Sequence, residues 1–242
     1  MGNVLLERDG GVAVLTLNAP EVKNGLTPEM SDELVALCDE IDADESYAAA
    51  VVLGADGTFC SGADRRRWVD GADQSEDVQF KAMGRVYQSF MRVGQLKVPV
   101  IAAVRGSVVG AGMNLMLAAD VRVVAHDARI LAGFLKIGVH PGGGFFTLAG
   151  RLAGREATAA MGLFNEEIDG RRAVELGMAW ESVEDDLVEE RARDLAAQAS
   201  RDPELTRETI RSMRTELGPP GVPWDVALQF ERPTQMWSLR RR

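Results

Sequence analysis

Strand patterns and helix patterns alternate along the first half of this 242-residue chain. Four short runs rich in β-branched and small apolar residues predict strands, at 11–18, 48–57, 98–106 and 120–125. Between them, two segments carry apolar residues at helical spacing, at 26–44 and 77–93. The first of these helices has Thr27 as its N-cap and Pro28 at its first helical position. This alternation is typical of an α/β core built from crossover units.

The second half of the chain has a different pattern. After residue 145 the strand signals nearly vanish, and helical patterns follow one another at 154–164, 170–179, 186–202, 203–217 and 223–237. The sequence therefore predicts an α/β core over residues 1–180 and a helical C-terminal region over residues 181–242.

Composition narrows the class of protein. The net charge of −10 argues against a nucleic-acid partner. The N-terminus lacks the apolar region of a signal peptide, and no apolar run is long enough to span a membrane. The two cysteines, Cys38 and Cys60, are expected to be unpaired in a reducing compartment. We therefore expect a soluble cytoplasmic protein with no membrane partner.

Two glycine-containing stretches indicate where a ligand binds. "TFCSGAD" at 58–64 follows one predicted strand, and "VVGAGMN" at 108–114 follows another and opens a helix. Small residues allow a ligand to approach the backbone, and the first amides of a helix have no partner within the helix. Two such N–H groups that point at one oxygen form an oxyanion hole. Glycines that merely permit tight turns and close packing are the alternative interpretation.

Four motifs together resemble one known family. "FCSGAD", "VRGSVVGAGMNLMLAADVRV", "KIGVHPGGG" (136–144) and "DGRRAVELGMAWESV" (169–183) have the order and spacing of the crotonase superfamily, the enoyl-CoA hydratase/isomerase family. The resemblance extends from about residue 4 to the 230s. It implies a crotonase-like ββα superhelix core with a helical C-terminal region that assembles into a homotrimer or a dimer of trimers. It also implies an acyl-CoA thioester as the substrate, with no separate cofactor and no metal.

The resemblance assigns roles to individual residues. The amides of Ala63 and Ala111 would polarise the thioester carbonyl, as two backbone amides do in the family. The residues implied to surround the CoA part of the substrate are Lys23, Asn24, Leu26, Ser61, Gly62, Asp64, Arg66 and Gly110. Arg66 would meet the CoA phosphates, although a solvated arginine is an equal alternative. Asp64 matches a family aspartate that is more often structural than catalytic.

The carboxylates that hydratases of the family use for proton transfer are missing. The two glutamates would fall at Asn114 and Phe134, and a third acidic position used by some relatives falls near Gly142. An amide or a phenyl ring cannot transfer protons at neutral pH. We therefore expect stabilisation of a thioester enolate, with classical hydratase activity doubtful and the reaction, lyase or isomerase, left open.

Three ways of working without those glutamates remain open. The base can be another residue, with His140 first and loop acids such as Asp73 or Glu76 next. The protein can instead bind acyl-CoA without turning it over. It can also catalyse a reaction such as decarboxylation, in which formation of the enolate places little demand on a protein acid.

Overall fold

A computed structural model of the protein describes residues 2–64 and 75–217, together with residues 225, 229, 232, 233 and 236. The strands in the described chain are β1 (Val4–Asp9), β2 (Val12–Leu17), β3 (Ala49–Gly54), β4 (Val100–Val104), β5 (Ser107–Val109), β6 (Val121–Ala125), β7 (Arg129–Leu131), β8 (Glu167–Ile168) and β9 (Glu181–Val183). The α-helices are α1 (Pro28–Ala43), α2 (Glu76–Gly94), α3 (Ala111–Ala118), α4 (Phe145–Phe164, kinked at Gly154), α5 (Gly170–Glu175), α6 (Val188–Ala199) and α7 (Pro203–Glu216).

The larger of two sheets has six strands in the order β1-β2-β3-β4-β6-β9. β1 and β2 pair antiparallel, and every other neighbouring pair is parallel. All residues of β3 and β4 are buried, as expected for parallel strands covered on both faces. The helix α6 packs against β2, β3, β4 and β6, and α1 packs against α2. The hydrophobic core therefore surrounds the middle strands of this sheet.

The smaller sheet positions the loops that carry the glycine motifs. It has the order β5-β7-β8, with β5 and β7 parallel and β8 antiparallel to β7. β5 leaves the end of β4 and leads directly into α3, and β7 leaves the end of β6. Each of these two chain segments therefore contributes one strand to each sheet. The junction between the sheets is where α3 begins.

The sequence pattern predicts most of these elements. The four expected strands are confirmed as β2, β3, β4 and β6, and the helices at 26–44 and 77–93 are confirmed as α1 and α2. Thr27 caps α1 as expected, because its Oγ1 accepts a hydrogen bond from the Met30 N–H at 3.1 Å. The pattern at 223–237 lies largely outside the described residues.

The expectation that strands nearly vanish after residue 145 is wrong. β8 and β9 both lie in this part, and β9 pairs with β6 at the edge of the main sheet. These strands have only two and three residues, too few to show a periodic pattern, and their pairing with β7 and β6 defines them. On the C-terminal side of residue 180, β9 and α6 both pack on the main sheet.

Two arginines tie α7 to the rest of the described chain. Arg207 donates to the carbonyl oxygens of Ile41, Asp44 and Tyr47 at 2.8–3.0 Å, at the end of α1. These carbonyls lie at or just beyond the last turn of α1, where helix geometry leaves acceptors without partners. Arg214 forms an ion pair with Asp120 at 2.6 Å and so reaches the start of β6.

Two further expectations concern the whole chain. Cys38 and Cys60 are both free thiols, and both are buried. Within the described ranges, no helix combines the length and the apolar character needed to cross a lipid bilayer.

Candidate active site

The loop at 58–64 forms a parallel bridge with the segment that precedes α1. The Leu26 N–H donates to the Gly62 carbonyl at 2.7 Å, and the Asp64 N–H donates to the Leu26 carbonyl at 2.9 Å. In a parallel pair, the residue between two such bonds directs its own N–H to the opposite side. Ala63 is that residue, so its N–H points away from Leu26.

On its other side the same loop pairs with β5. The Cys60 N–H donates to the Ser107 carbonyl at 3.2 Å, and the Val109 N–H donates to the Cys60 carbonyl at 3.0 Å. Gly62 has φ +100°, and a Cβ atom there would lie 2.8 Å from the Val109 oxygen and 3.7 Å from the Ala111 nitrogen. Only glycine fits this position. The N–H of the residue after Gly62 therefore faces the side on which α3 begins.

The N-terminus of α3 supplies the second amide. Its N-cap, Gly110, has φ 53° and ψ −114° and donates its own N–H to the Leu131 carbonyl at 3.1 Å. Ala111 is the first helical residue, and its N–H has no acceptor within the helix. Within the described residues, no hydrogen bond is assigned to the N–H of Ala63 or of Ala111. Two backbone donors therefore flank the same cleft.

Asn114 lies one helical turn after Ala111 and is 1 % exposed. Its Nδ2 donates to the Gly142 carbonyl at 2.8 Å, which links α3 to the loop that precedes α4. Its Oδ1 is buried and has no hydrogen-bond partner within the described residues. The amide thus contributes one satisfied donor and one unsatisfied acceptor.

Phe134 occupies the second position at which a glutamate would act. The side chain is buried, and its ring packs against the ring of Phe145 with centroids 5.6 Å apart. A Cβ atom at Gly110 would lie 3.8 Å from Cε1 of Phe134, so the ring edge reaches the N-cap of α3. The cleft is therefore apolar where a hydratase of the family carries a carboxylate.

His140 lies on the loop between Phe134 and α4. Its Nδ1 is 2.7 Å from the Pro141 carbonyl oxygen, and its ring meets Phe146 edge-on with centroids 6.4 Å apart. Because a carbonyl oxygen only accepts, Nδ1 carries the proton in this contact. In the neutral ring, Nε2 is then the nitrogen with the basic lone pair.

Cys60 lies inside the loop but cannot act as a nucleophile at neutral pH. Its thiol is fully buried, and burial raises the pKa of the thiol to about 12. The reactive form of cysteine is the thiolate, which is negligibly populated far below that pKa.

Asn24 has a different role from the one the resemblance implies. Its side chain is fully buried, with Oδ1 accepting from the Ala19 N–H at 2.9 Å. Its Nδ2 donates to the carbonyls of Ala55 and Thr58 at 3.0 and 2.6 Å. All of these partners are backbone groups of the surrounding loops, so the side chain stabilises the loops and has no exposed atom for CoA. The correction follows from tertiary contacts that no local pattern indicates.

The other residues assigned to CoA lie on two adjoining segments. The side chain of Lys23 is exposed, and its carbonyl accepts from the Ser61 N–H at 3.0 Å. Ser61 Oγ donates to the Val22 carbonyl at 3.1 Å. Leu26 is buried beneath the loop, and Asp64 is half-buried. The segment around residue 23 and the loop at 58–64 are therefore joined by several backbone bonds.

Two of the charged residues considered for the site, Arg66 and Asp73, lie outside the described residues. Glu76 is the first residue of α2, and its side chain is exposed. No group of three or more His, Cys, Asp or Glu side chains within the described chain has a metal-binding arrangement.

The sequence did not indicate that Phe90 and Gly143 border the site. Gly143 has φ +72°, and a Cβ atom there would meet Nδ2 of Asn114 and lie 2.7 Å from Cζ of Phe90. Helical periodicity predicts that Phe90 is buried on α2, but not which loop it meets. The run of three glycines at 142–144 was the available signal for a close approach of backbone and side chain.

Comparison with known proteins follows this geometry. The family profile described as Enoyl-CoA hydratase/isomerase matches residues 7–220. The chain is 38 % identical to "Probable enoyl-CoA hydratase EchA14" of Mycobacterium tuberculosis, over 89 % of this chain and 83 % of that protein. It is 31 % identical to 1,2-epoxyphenylacetyl-CoA isomerase of Escherichia coli K12, over 98 % and 90 %. The structure of an enoyl-CoA hydratase/isomerase from Mycobacterium paratuberculosis superposes with a TM-score of 0.87 at 22 % identity, over 99 % and 94 %.

Proposed function

Because the chain belongs to the enoyl-CoA hydratase/isomerase family, we propose that it binds acyl-CoA thioesters and stabilises their enolates. Its fold is the crotonase-like α/β fold of the structures it matches. The observation that carries the proposal is the pair of backbone donors, the N–H groups of Ala63 and Ala111, on either side of one cleft. Relatives named as hydratases and one named as an isomerase leave the reaction itself to be determined.

The two amides suit a thioester oxygen for an electrostatic reason. When a proton leaves the carbon next to the carbonyl, negative charge moves onto the oxygen. Donors already fixed by the loop and by α3 stabilise that charge without reorganising. Removal of one such donor typically costs about 2.7–4 kcal/mol of transition-state stabilisation. Each donor in this proposal is therefore expected to matter by about two to three orders of magnitude in rate.

The CoA portion is proposed to lie over the joined segments around residues 23 and 61. The exposed ammonium group of Lys23 is placed to meet a phosphate, and Arg66 is proposed as a second cation. No cofactor other than the CoA of the substrate is part of the proposal. Assembly into a homotrimer or a dimer of trimers is also proposed, and the mass of the particle in solution tests it.

Proton transfer is proposed to use neither Asn114 nor Phe134. An amide and a phenyl ring do not exchange protons at neutral pH, so hydration of crotonyl-CoA is expected to be weak. His140 is the first candidate for the base because a Pro141 contact leaves the lone pair of the neutral ring on Nε2. The second candidate function, binding without turnover, is supported by the apolar surroundings of Phe134.

The experiment measures enolate formation directly. Exchange of the α-protons of butyryl-CoA in D₂O is followed by NMR for the wild-type protein, Ala111→Pro and Ala111→Ser. Proline is tolerated at the first helical position but lacks the N–H, whereas serine keeps it. We expect Ala111→Pro to lower the exchange rate about 10²–10³-fold and Ala111→Ser to change it little. His140→Gln should lower exchange as well if His140 is the base.

Two results would reject parts of the proposal. Equal exchange rates in a folded Ala111→Pro protein would remove the oxyanion hole. Tight binding of butyryl-CoA with no exchange above the protein-free rate would favour the silent binder. Failure of any acyl-CoA to bind would reject the substrate class.

A further inference from the structure

The orientation of the Asn114 amide is fixed by its neighbours. Because the Gly142 carbonyl only accepts hydrogen bonds, the atom 2.8 Å from it must be the Nδ2 donor. Nδ2 is also packed against the backbone of Gly143, where a Cβ atom would collide with it. The carbonyl oxygen, Oδ1, must therefore point to the other side of the amide plane.

That oxygen is an unsatisfied acceptor. The side chain is 1 % exposed, and Oδ1 has no hydrogen-bond donor within the described residues. Buried polar atoms in folded proteins nearly always have a partner, and an unpaired one is costly. Phe90 and Phe134, which border the same region, have no donor group to offer. The missing donor is therefore expected to come with the ligand.

The position of Asn114 on α3 limits where that donor lies. Residues three apart on a helix share one face, with Cβ atoms about 5–6 Å apart, so Asn114 is next to Ala111. Helical side chains lean toward the N-terminus of their helix, which directs this amide toward the turn that begins with Ala111. A donor to Oδ1 is thus about one helical turn from the proposed thioester oxygen. On an acyl chain, that distance corresponds to the second or third carbon.

We propose that Asn114 is a specificity-determining residue that accepts a hydrogen bond from a hydroxyl group on the second or third carbon of the acyl chain. The preferred ligands are then 2- or 3-hydroxyacyl thioesters of CoA rather than saturated ones. This inference rests on the proposed function, because it takes the thioester oxygen to lie at the Ala111 N–H. A site with a buried acceptor rejects the analogue that lacks the donor, because that acceptor is then left unpaired.

The first measurement uses the wild-type protein. Dissociation constants are determined by calorimetry for butyryl-CoA, 2-hydroxybutyryl-CoA and each enantiomer of 3-hydroxybutyryl-CoA, with free CoA as the reference. We expect at least one hydroxylated ligand to bind about tenfold or more tightly than butyryl-CoA, which corresponds to about 1.4 kcal/mol. A preference for one enantiomer is expected because Oδ1 is held in one direction.

Two variants at the same position assign the preference to Asn114. Asn114→Leu has a similar size but no acceptor, and should bind the hydroxylated and saturated ligands equally. Asn114→Asp is the matched control, since burial raises the pKa of an aspartate and keeps it protonated at pH 6. A protonated carboxyl group donates to the Gly142 carbonyl and still offers an acceptor, so the preference should survive.

The outcomes separate this inference from the proposed function. Equal binding of butyryl-CoA and all hydroxylated ligands to the wild-type protein would overturn the role of Asn114 and leave the proposed function standing. Binding no tighter than that of free CoA for every acyl ligand would overturn both. A preference that persists unchanged in a folded Asn114→Leu protein would assign it to another residue. If Asn114→Leu fails to fold, the wild-type ligand series and Asn114→Asp still decide the question.

Discussion

Gly112 lies directly against the carbonyl group of Cys60. A Cβ atom at residue 112 would collide with the carbonyl oxygen and lie 2.8 Å from Cβ of Cys60. The second residue of α3 is therefore in backbone contact with the loop at 58–64. This contact sets the separation between the loop and the helix, and so between the N–H groups of Ala63 and Ala111.

The first prediction changes that separation. Gly112→Ala must push α3 away from Cys60, because both colliding atoms belong to the backbone or lie next to it. We expect α-proton exchange of butyryl-CoA to fall at least tenfold, because a displaced donor loses much of its hydrogen bond to the enolate oxygen. The NMR exchange assay described above measures the effect.

A helical glycine elsewhere provides the matched control. At Gly150 in α4, an added Cβ would meet only Oγ1 of Thr158, at an ordinary 3.9 Å. Gly150→Ala is expected to leave exchange unchanged and to stabilise the protein slightly, by up to about 1 kcal/mol. Equal exchange rates in Gly112→Ala and the wild-type protein would show that the spacing does not matter.

The second prediction concerns stability. Asn24→Ala removes three hydrogen bonds and leaves the Ala19 N–H and the carbonyls of Ala55 and Thr58 without their side-chain partner. Because a buried unsatisfied group costs about 1–3 kcal/mol, we expect the free energy of unfolding to fall by about 3 kcal/mol or more. Urea denaturation measures the change.

Lys23→Ala is the control for backbone strain. Lys23 and Asn24 both have φ 53°, but the side chain of Lys23 is exposed. Lys23→Ala is expected to change the free energy of unfolding by less than about 0.5 kcal/mol. A similar loss in both variants would assign the effect to the left-handed backbone instead of the side-chain bonds.

The third prediction concerns the thiols. Burial raises the pKa of Cys38 and of Cys60 to about 12, so neither should react quickly with a disulfide reagent at pH 8 in the folded protein. Both should react in urea. Fast reaction of either thiol without denaturant would show that its surroundings open readily.

The same raised pKa values determine a dependence of stability on pH. Between pH 9 and 12 the folded protein keeps the thiol protons and the unfolded chain releases them, so stability must fall as the pH rises. In Cys60→Ala the free energy of unfolding should fall less steeply over this range than in the wild-type protein. Identical slopes would contradict a raised pKa at Cys60.

The fourth prediction restores the missing carboxylates. Asn114→Glu combined with Phe134→Glu should raise crotonyl-CoA hydration above the wild-type rate, since acid–base catalysis typically contributes about 10²–10⁴-fold. Each single change should do less, because a lone buried carboxyl group tends to stay protonated. Steady-state kinetics measure the rates, and circular dichroism checks folding, because Phe134 packs against Phe145. A wild-type rate of about 10 s⁻¹ or more would refute the argument from missing glutamates.

The elements that were predictable from sequence are those with a local signal. Thr27 and Pro28 mark the start of α1, and the buried runs of β3 and β4 match their apolar patterns. β9 carries no such signal, because Glu181–Val183 is a strand only through its pairing with β6.

The candidate site divides in the same way. Motif order placed Ala63 and Ala111 on two loops, and the structure brings those loops together. The structural role of Asn24 was not predictable, because its partners are up to 34 positions away in sequence. The contact between Asn114 and Gly142 spans 28 positions and was hidden for the same reason.

That contact also couples two positions in the history of the sequence. A carboxylate at residue 114 would face the Gly142 carbonyl without a proton to share, so this substitution is unfavourable on the present background. The adjoining Gly143 cannot adapt by gaining a side chain, because it has φ +72° and lies against Phe90. We expect homologues with an acid at position 114 to differ in the glycine loop as well. Acquiring or losing proton-transfer chemistry in this lineage is therefore an epistatic step, in which the helix and the loop must diverge together.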